Sequence, residues 1–255
     1  MPKLELPSVT LCAAASVNVP ATLSAMRISM EAVTFADCVL FTDSQQCDLG
    51  NGIRTVPSER FNSSREYSEF MIRKLADHIR TPHCLVVQWD GFVIDADRWN
   101  PQFLQFDFIG APWPQFDDGL DVGNGGFSLR SQRLLKACQD SRFRLEGPED
   151  VAICRVNRGL LEAEHGIRFA GPEMAEQFSF ERTSPSHPTF GFHGVFNMAD
   201  VIGPDAFWDV YSGLDDPTTV FVDYWRILRQ LGVGREPTQR RTRLTCDRLA
   251  ALLRG

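Results

Sequence analysis

The sequence has few of the features that mark membrane, secreted or nucleic-acid-binding proteins. No window of about 18 uninterrupted apolar residues occurs, which argues against a membrane-spanning helix. The opening stretch, MPKLELPSVT, lacks the apolar core of a signal peptide. The net charge is −7, whereas a general nucleic-acid binder needs clustered lysine and arginine to neutralise phosphates. We therefore expect a cytoplasmic protein with no nucleic-acid partner.

The cysteines match no metal site and no disulfide framework. The chain has 7 of them, an odd number, and no CxxC or Cys/His spacing indicates zinc. Most lie within apolar runs, which is typical of reduced thiols packed in a core. Their positions are 12, 38, 47, 84, 138, 154 and 246.

Apolar runs and helical periodicities alternate along most of the chain. VTLCAAA at residues 9–15 and CVLFT at 38–42 predict strands, and residues 20–33 between them have the apolar spacing of a helix. Ser63 and Glu66 have the spacing of a capping box and predict the start of a second helix. This alternation indicates an α/β fold with a central sheet.

Further short strands are predicted at residues 106–111, 167–170 and 178–181, and Pro148 is suited to the first position of another helix. After residue 198 the pattern becomes helical. The sequence therefore predicts an α/β domain over residues 1–198 and a helical C-terminal extension over residues 199–255.

The segment CLVVQWDG, residues 84–91, contains the first candidate site. Three apolar residues typical of a strand buried on both faces precede Gln88, Trp89 and Asp90. In open α/β sheets, ligands bind outside the carboxyl ends of the strands. Asp90 is therefore placed to meet a metal ion or a phosphate-bearing substrate. A DxD at Asp95 and Asp97 lies past the strand end, and we interpret it as a turn.

Six blocks carry a family resemblance, and they occur in a fixed order within residues 9–197. In them the sequence resembles glycosyltransferases of the GT-A type, and more closely a bacterial glycosyltransferase-like family known as a domain of unknown function. The blocks are QWDGFV at 88–93, DFIGAPW at 107–113, VGNGGFSLRS at 122–131, PEDVAICR at 148–155, FSFE at 178–181 and FGFHG at 190–194.

This resemblance implies a GT-A-like, Rossmann-related central mixed sheet flanked by helices. It also implies transfer of a sugar from a nucleotide-sugar, UDP-linked, to a hydroxyl of a glycan or lipid-linked acceptor. Such an enzyme would serve the assembly of bacterial surface polysaccharide or another glycan.

The resemblance further implies a divalent cation, Mn²⁺ or Mg²⁺, that bridges the two phosphates of the donor. Asp90 resembles the metal-binding aspartate of the DxD motif, while Gln88 replaces the first acidic residue and is predicted to contact the substrate. His193 resembles the C-terminal histidine that completes the cation site in several GT-A families. The alternatives are an acid that merely ends a strand and a structural histidine.

Glu149 and Asp150 resemble the xED motif, in which a carboxylate takes the proton from the acceptor hydroxyl. We prefer Asp150 as this base. The alternative is structural, because acidic residues in the first turn of a helix are favoured by the helix dipole.

Several other positions are predicted to contact the donor. The glycine-rich segment that would let the backbone approach the sugar consists of Gly123, Asn124, Gly125 and Gly126, although glycines also form simple bends. The predicted nucleoside contacts at the ends of the first two strands are Ala14, Ser16 and Asp43. Lys74 is a candidate for the diphosphate, or else a lysine at the border of an amphipathic helix.

Eight arginines lie between residues 226 and 255. They favour contact with an anionic membrane surface, which would place the enzyme at the inner face of the membrane. Solvated helix faces are the other interpretation.

Two rival functions remain open. One is a nucleotidyltransferase on a related fold, although the first strand ends in AAASVNVP, without the glycine- and arginine-rich loop such enzymes use. The other is a non-catalytic module that binds nucleotide-sugars or glycans.

Overall fold

The computed structural model describes residues 3–44 and 52–253. The chain folds into two compact units, Met1–His193 and Gly194–Gly255. Within the described residues, no helix is both long and apolar enough to cross a membrane.

Six strands of the first unit form one mixed sheet in the order β3-β2-β1-β4-β6-β5. β1, β2, β3 and β4 are parallel to one another, and β6 is antiparallel to both β4 and β5. Two further short strands, β7 and β8, pair in parallel. The strands are β1 Leu4–Ala14, β2 Val33–Thr42, β3 Arg54–Pro57, β4 His83–Val87, β5 Phe108–Ile109, β6 Phe127–Ser131, β7 Ser179–Phe180 and β8 Gly191–Phe192.

Six α-helices belong to the described part of the first unit and four to that of the second. Those of the first are α1 Val19–Ala32, α2 Ser64–Arg73, α3 Gln132–Ala137, α4 Glu149–Val151, α5 Arg158–His165 and α6 Pro172–Phe178. Those of the second are α7 Val195–Ile202, α8 Pro204–Ser212, α9 Tyr224–Gln230 and α10 Pro237–Leu252. The predicted α/β class, with a central mixed sheet flanked by helices and a helical C-terminal extension, is confirmed.

The apolar runs of the central strands bury both faces of the sheet. In β1, Leu11 and Ala13 pack with the apolar side of α1, while Cys12 and Ala14 pack with that of α2. Because successive side chains of a strand point to opposite faces, a strand covered on both sides needs apolar residues throughout. This explains why these strands read as continuous apolar runs.

Helix α2 begins at the predicted cap. The hydroxyl of Ser63 accepts a hydrogen bond from the backbone N–H of Glu66 at 3.2 Å. The carboxylate of Glu66 accepts from the N–H of Asn62 at 2.7 Å, one residue before the position a capping box would use. Both contacts satisfy backbone donors in the region where α2 begins.

Some predicted elements differ from the structure. Residues 167–170 do not form a strand, because Phe169 makes only an isolated bridge with Phe108. Pro148 caps α4 instead of occupying its first position. The cysteines at 12, 38, 84, 138 and 154 are buried as expected, but Cys246 is exposed, and Cys47 lies outside the described residues.

Candidate functional site

The carboxyl end of β4 turns sharply and presents two candidate side chains. The N–H of Gly91 donates to the carbonyl of Gln88 at 3.1 Å, which closes a tight turn through Asp90. The side-chain amide of Gln88 donates to the hydroxyl of Tyr67 on α2 at 3.1 Å. Asp90 is 8% exposed, so its carboxylate is nearly withdrawn from solvent.

His193 lies between two carboxylates. Its Nε2 is 3.4 Å from Oδ1 of Asp90 and 3.3 Å from Oε1 of Gln88. Its Nδ1 is 3.3 Å from Oε1 of Glu181. Burial by itself would lower the pKa of His193, but the adjacent Asp90 and Glu181 outweigh it and raise the pKa to about 10. The imidazole therefore carries a positive charge at neutral pH when only these side chains surround it.

The glycine-rich segment contacts this imidazole. A Cβ on Gly126 would lie 2.0 Å from Nε2 of His193, so only glycine leaves room for the ring. The amide nitrogen of Asn124 is 3.0 Å from Nδ1 of the same ring. Asn124 has a φ of 61°, a left-handed conformation that asparagine tolerates better than most residues. Backbone strain thus occurs within the site itself.

Asp150 is held against the same segment. Its Oδ2 accepts a hydrogen bond from the N–H of Gly125 at 3.0 Å, and its Oδ1 accepts from the N–H of Val151 at 2.8 Å. Burial and the negative charge of Glu149 raise the pKa of Asp150 to about 6. A carboxyl group with this pKa takes up a proton near neutral pH more readily than an ordinary aspartate does.

Glu149 has a different environment from its neighbour. Its Oε1 accepts from Nη2 of Arg130 at 3.0 Å, and both side chains are buried, at 6% and 0% exposure. Burial opposes the charge of Arg130, but the carboxylate of Glu149 raises the pKa of Arg130 above its ordinary value. Glu149 is therefore one half of a buried ion pair.

The glycines contact the protein's own side chains. The direction in which a Cβ would project is occupied by the ring of Trp113 at Gly123, by Glu149 at Gly125 and by His193 at Gly126. The lack of a Cβ at each of these glycines therefore leaves room for a side chain of the protein itself. A role in approaching a donor sugar stays a prediction for these three positions.

A cation site can be tested against the donor atoms present. Over residues 3–44 and 52–253, no group of three or more His, Cys, Asp or Glu side chains converges to hold a metal ion. The set that converges is Asp90, His193 and the amide oxygen of Gln88. Metal-bound histidines usually hold their second nitrogen against a carboxylate, and Glu181 provides one. A divalent cation at these donors would need further ligands, and it would need Nε2 to give up its proton.

The predicted nucleoside contacts lie at the ends of β1 and β2, where Ala14 is the last residue of β1. The hydroxyl of Ser16 accepts from the N–H of Phe61 at 2.9 Å. Oδ2 of Asp43 is 3.2 Å from Nη1 of Arg60. Because β1, β2 and β4 are parallel, these residues and Asp90 share the carboxyl edge of the sheet.

Lys74 contacts Glu59, which follows the carboxyl end of β3. Lys74 follows the last residue of α2, seven residues or about 10 Å along the helix from Tyr67, which contacts Gln88. Its ammonium is 3.3 Å from Glu59, and it lines a separate cavity of about 340 Å³. The predicted diphosphate contact of Lys74 stays a prediction.

Three residues of the site were not singled out from the sequence: Tyr67, Arg130 and Glu181. Arg130 and Glu181 lie inside the resembling blocks VGNGGFSLRS and FSFE. An arginine in an otherwise apolar strand was the available signal for a buried ion. The partner of each depends on tertiary packing, which the sequence pattern does not give.

Comparisons with known proteins give one family and several similar structures. The chain is similar to a mannosyltransferase, PcManGT from Pyrobaculum calidifontis in complex with GDP-Man and Mn²⁺, with 10% identity and a TM-score of 0.44 over 99% of this chain and 84% of that one. It is also similar to a glycosyltransferase involved in the glycosylation of the major capsid of PBCV-1, with 9% identity and a TM-score of 0.45 over 73% of this chain and 92% of that one. No curated protein matches the chain. A family model described as "Protein of unknown function (DUF5672)" matches residues 51–193, which is more than half of the chain. The chain therefore belongs to the DUF5672 family.

Proposed function

We propose that this protein is a glycosyltransferase that moves a sugar from a UDP-linked donor to a hydroxyl of a glycan or lipid-linked acceptor. The observation that carries the proposal is a continuous path of contacts at one edge of the sheet. Asp150 bonds to Gly125, the adjacent Gly126 packs against His193, and His193 contacts Asp90. An acid that can accept a proton and a group that can hold a diphosphate thus lie on either side of two glycines.

Each residue has a distinct role in the proposed reaction. The carboxylate of Asp150 takes the proton from the acceptor hydroxyl, and the hydroxyl oxygen forms a bond to the anomeric carbon. The bond from that carbon to the donor phosphate breaks, and its electron pair leaves with the nucleoside diphosphate. Direct attack of this kind inverts the anomeric configuration.

The diphosphate end of the donor belongs beside His193. Asp90 and His193, with the amide oxygen of Gln88, would hold Mn²⁺ or Mg²⁺, which offsets the charge of the leaving diphosphate. Asp43 and Ser16, at the ends of β2 and β1, would contact the nucleoside. We place this activity in the cytoplasm, in the assembly of bacterial surface polysaccharide.

A panel of nucleotide-sugars, each with and without Mn²⁺, tests donor binding by calorimetry and thermal shift. A donor that binds the native state raises the melting temperature. Asp150→Asn should keep the donor Kd within about threefold and lower kcat by roughly 10²- to 10⁴-fold, since it removes only the proton acceptor. If Asp150→Asn turns over as fast as the native protein, the assignment of the base is wrong. Donor binding without transfer to any hydroxyl acceptor would instead favour a binding module.

We further propose that the second unit contacts an anionic membrane surface. Among its described residues, Arg229, Arg241 and Arg248 have no acidic partner, whereas Arg226, Arg235, Arg240 and Arg243 are paired with aspartates. Trp225 is 71% exposed at the start of α9. An exposed tryptophan and arginines without acidic partners, present in one unit, favour the interface of an anionic bilayer.

A further inference from the structure

The side chain of Arg130 is enclosed in the first unit, on strand β6. Its Nη2 donates to Oε1 of Glu149 at 3.0 Å and to the carbonyl of Gly125 at 3.1 Å, and its Nε donates to the hydroxyl of Ser128 at 2.9 Å. Ser128 in turn donates to the same carbonyl of Gly125 at 3.1 Å. The guanidinium therefore joins the start of α4 to the glycine-rich segment.

Stability alone gives a poor account of this arrangement. Taking two charges out of water largely cancels the attraction between them, so a buried ion pair contributes little net stability. Nη1 of Arg130 has no hydrogen-bond partner among the described residues, which adds an unsatisfied donor. The contacts of the pair are, however, concentrated on the segment that holds the proposed base.

Gly125 is fixed from both sides by this network. Its carbonyl accepts from Arg130 and Ser128, while its N–H donates to Oδ2 of Asp150. The N–H of Glu149 donates to the hydroxyl of Ser68 on α2 at 3.1 Å, which anchors the start of α4. The carboxylate of Asp150 is thus positioned by groups that do not themselves reach the acceptor.

We propose that the Arg130–Glu149 ion pair is a positioning device, which holds Gly125 and Asp150 in place and keeps a negative charge beside the base, and that Glu149 accepts no proton in the reaction. This inference rests on the glycosyltransferase function proposed above. Because one oxygen of Glu149 is bound to Arg130 and the side chain is 6% exposed, the acceptor hydroxyl has little access to it. Asp150 is partly exposed, and among the described residues it accepts hydrogen bonds from two backbone N–H groups, those of Gly125 and Val151.

The charge of Glu149 gives the proposal a measurable consequence. Glu149 and Arg130 are the charged groups that act most strongly on Asp150, and Asp150 in turn acts on the buried thiol of Cys154. Glu149 raises the pKa of Asp150, while Arg130 lowers it. Glu149→Gln keeps the size of the side chain and an oxygen for Arg130, but removes the negative charge. The pKa of Asp150 should then fall below about 6.

The backbone amide of Gly125 reports this titration without any need for activity. Its N–H donates to the carboxylate of Asp150, so its ¹H–¹⁵N resonance should shift with a midpoint near pH 6 in the native chain. In Glu149→Gln the midpoint should move down by about one pH unit. Asp150→Asn should abolish the transition and thereby assign it. Glu146→Gln, an exposed change three residues upstream of Glu149, is the matched control and should leave the midpoint unchanged.

Transfer activity supplies the second readout. With an active donor, Glu149→Gln should keep kcat within about tenfold at pH 8, and the acid limb of its pH profile should move down with the Gly125 midpoint. Loss of turnover at every pH in folded Glu149→Gln, with donor Kd unchanged, would identify Glu149 as the base and overturn the proposal. An unmoved Gly125 midpoint would overturn it as well. If no donor supports transfer while the midpoint still moves, the proposed function fails and the positioning of Asp150 by the pair stands.

Discussion

At the scale of single residues, the contact between Gly126 and His193 is the most restrictive one in the candidate site. The ring of His193 occupies the volume that any side chain at position 126 would need. Moving the ring would separate it from Asp90 on one side and from Glu181 on the other. A single methyl group at this position should therefore test the whole arrangement.

We predict that Gly126→Ala weakens binding of the nucleotide-sugar donor at least tenfold, because its Cβ displaces the imidazole. Calorimetric titration of the donor measures this effect. Gly159→Ala is the control, since Gly159 is exposed on α5 with nothing within 4 Å of the added Cβ. The control should keep the native Kd and gain roughly 0.5–1 kcal/mol of stability. Equal donor affinities for native, Gly126→Ala and Gly159→Ala chains would remove His193 from the donor site.

Several residues that the sequence singled out contact one another in the structure, but the sequence did not predict how they are held. The end of an apolar run pointed to Asp90 as a site residue. In the structure Asp90 contacts His193, His193 packs against Gly126, and the adjacent Gly125 donates to Asp150. Arg130 was not singled out, because its role depends on reaching Glu149, 19 positions away in the chain. Spacing along a chain predicts neighbours within one element, whereas such a partner is set by tertiary packing.

At the scale of elements, the carboxylate of Asp107 connects several segments around β5. It accepts hydrogen bonds from the hydroxyl of Ser131 at 2.5 Å, from the N–H of Arg168 at 2.8 Å and from the guanidinium of Arg133. The end of β6, the first turn of α3 and the segment at Arg168 thus meet at one side chain. Asp107 is 6% exposed, so these bonds are shielded from water.

We predict that the stabilisation from Asp107 is lost in acid. Burial by itself would raise the pKa of Asp107, but hydrogen bonds from Arg133, Ser131 and the N–H of Arg168 lower it below its ordinary value. The stabilisation is complete above the unfolded-state pKa, about 4, and disappears as the pH falls through the lower folded-state pKa. Asp107→Asn should cost about 2 kcal/mol at pH 7 and much less near pH 2.

Urea denaturation at the two pH values measures this difference. Asp117→Asn, an exposed change in the neighbouring loop, is the control and should alter the free energy of unfolding by less than about 0.5 kcal/mol at either pH. A loss in Asp107→Asn that is equally large at both pH values would show that the side chain acts by packing and not by charge.

Asp107 also explains a limit of reading strands from sequence. Residues 106–111 were predicted as a strand from their apolar character, and β5 forms only at Phe108–Ile109. The N–H of Asp107 donates to the carbonyl of Arg168 at 2.7 Å, outside the ladder between β5 and β6. The central strands were predicted more closely, because packing on both faces requires an unbroken apolar run. Short edge strands are limited by individual side chains, which periodicity does not reveal.

At the scale of the whole molecule, the two compact units differ in composition and in kind of structure. The first contains the mixed sheet and the candidate site, and the described part of the second is helical. The sequence predicted the change from mixed α/β structure to helices, because strand patterns cease after residue 198. It did not predict most of the arginine pairs of the second unit, because they join different parts of the chain, as Arg235 of the α9–α10 connection does with Asp209 of α8. Arg243 and Asp247, four residues apart on α10, are the exception among the described pairs.

The unpaired arginines lead to the last prediction, which concerns binding of the full chain to membranes. Arg229 and Arg241 lack acidic partners among the described residues, and each arginine near an anionic surface contributes about 1 kcal/mol. Arg229→Gln/Arg241→Gln should therefore weaken co-sedimentation with phosphatidylglycerol vesicles roughly tenfold or more. Arg235→Gln/Arg243→Gln changes the net charge equally but removes arginines already paired with aspartates, so its loss should be several-fold smaller.

Sedimentation of the native chain should also fall with phosphatidylcholine vesicles and with added salt, because exposed charges are screened. Equal losses in both double variants would reduce the effect to net charge, and no sedimentation of the native chain with anionic vesicles would refute membrane contact by these residues.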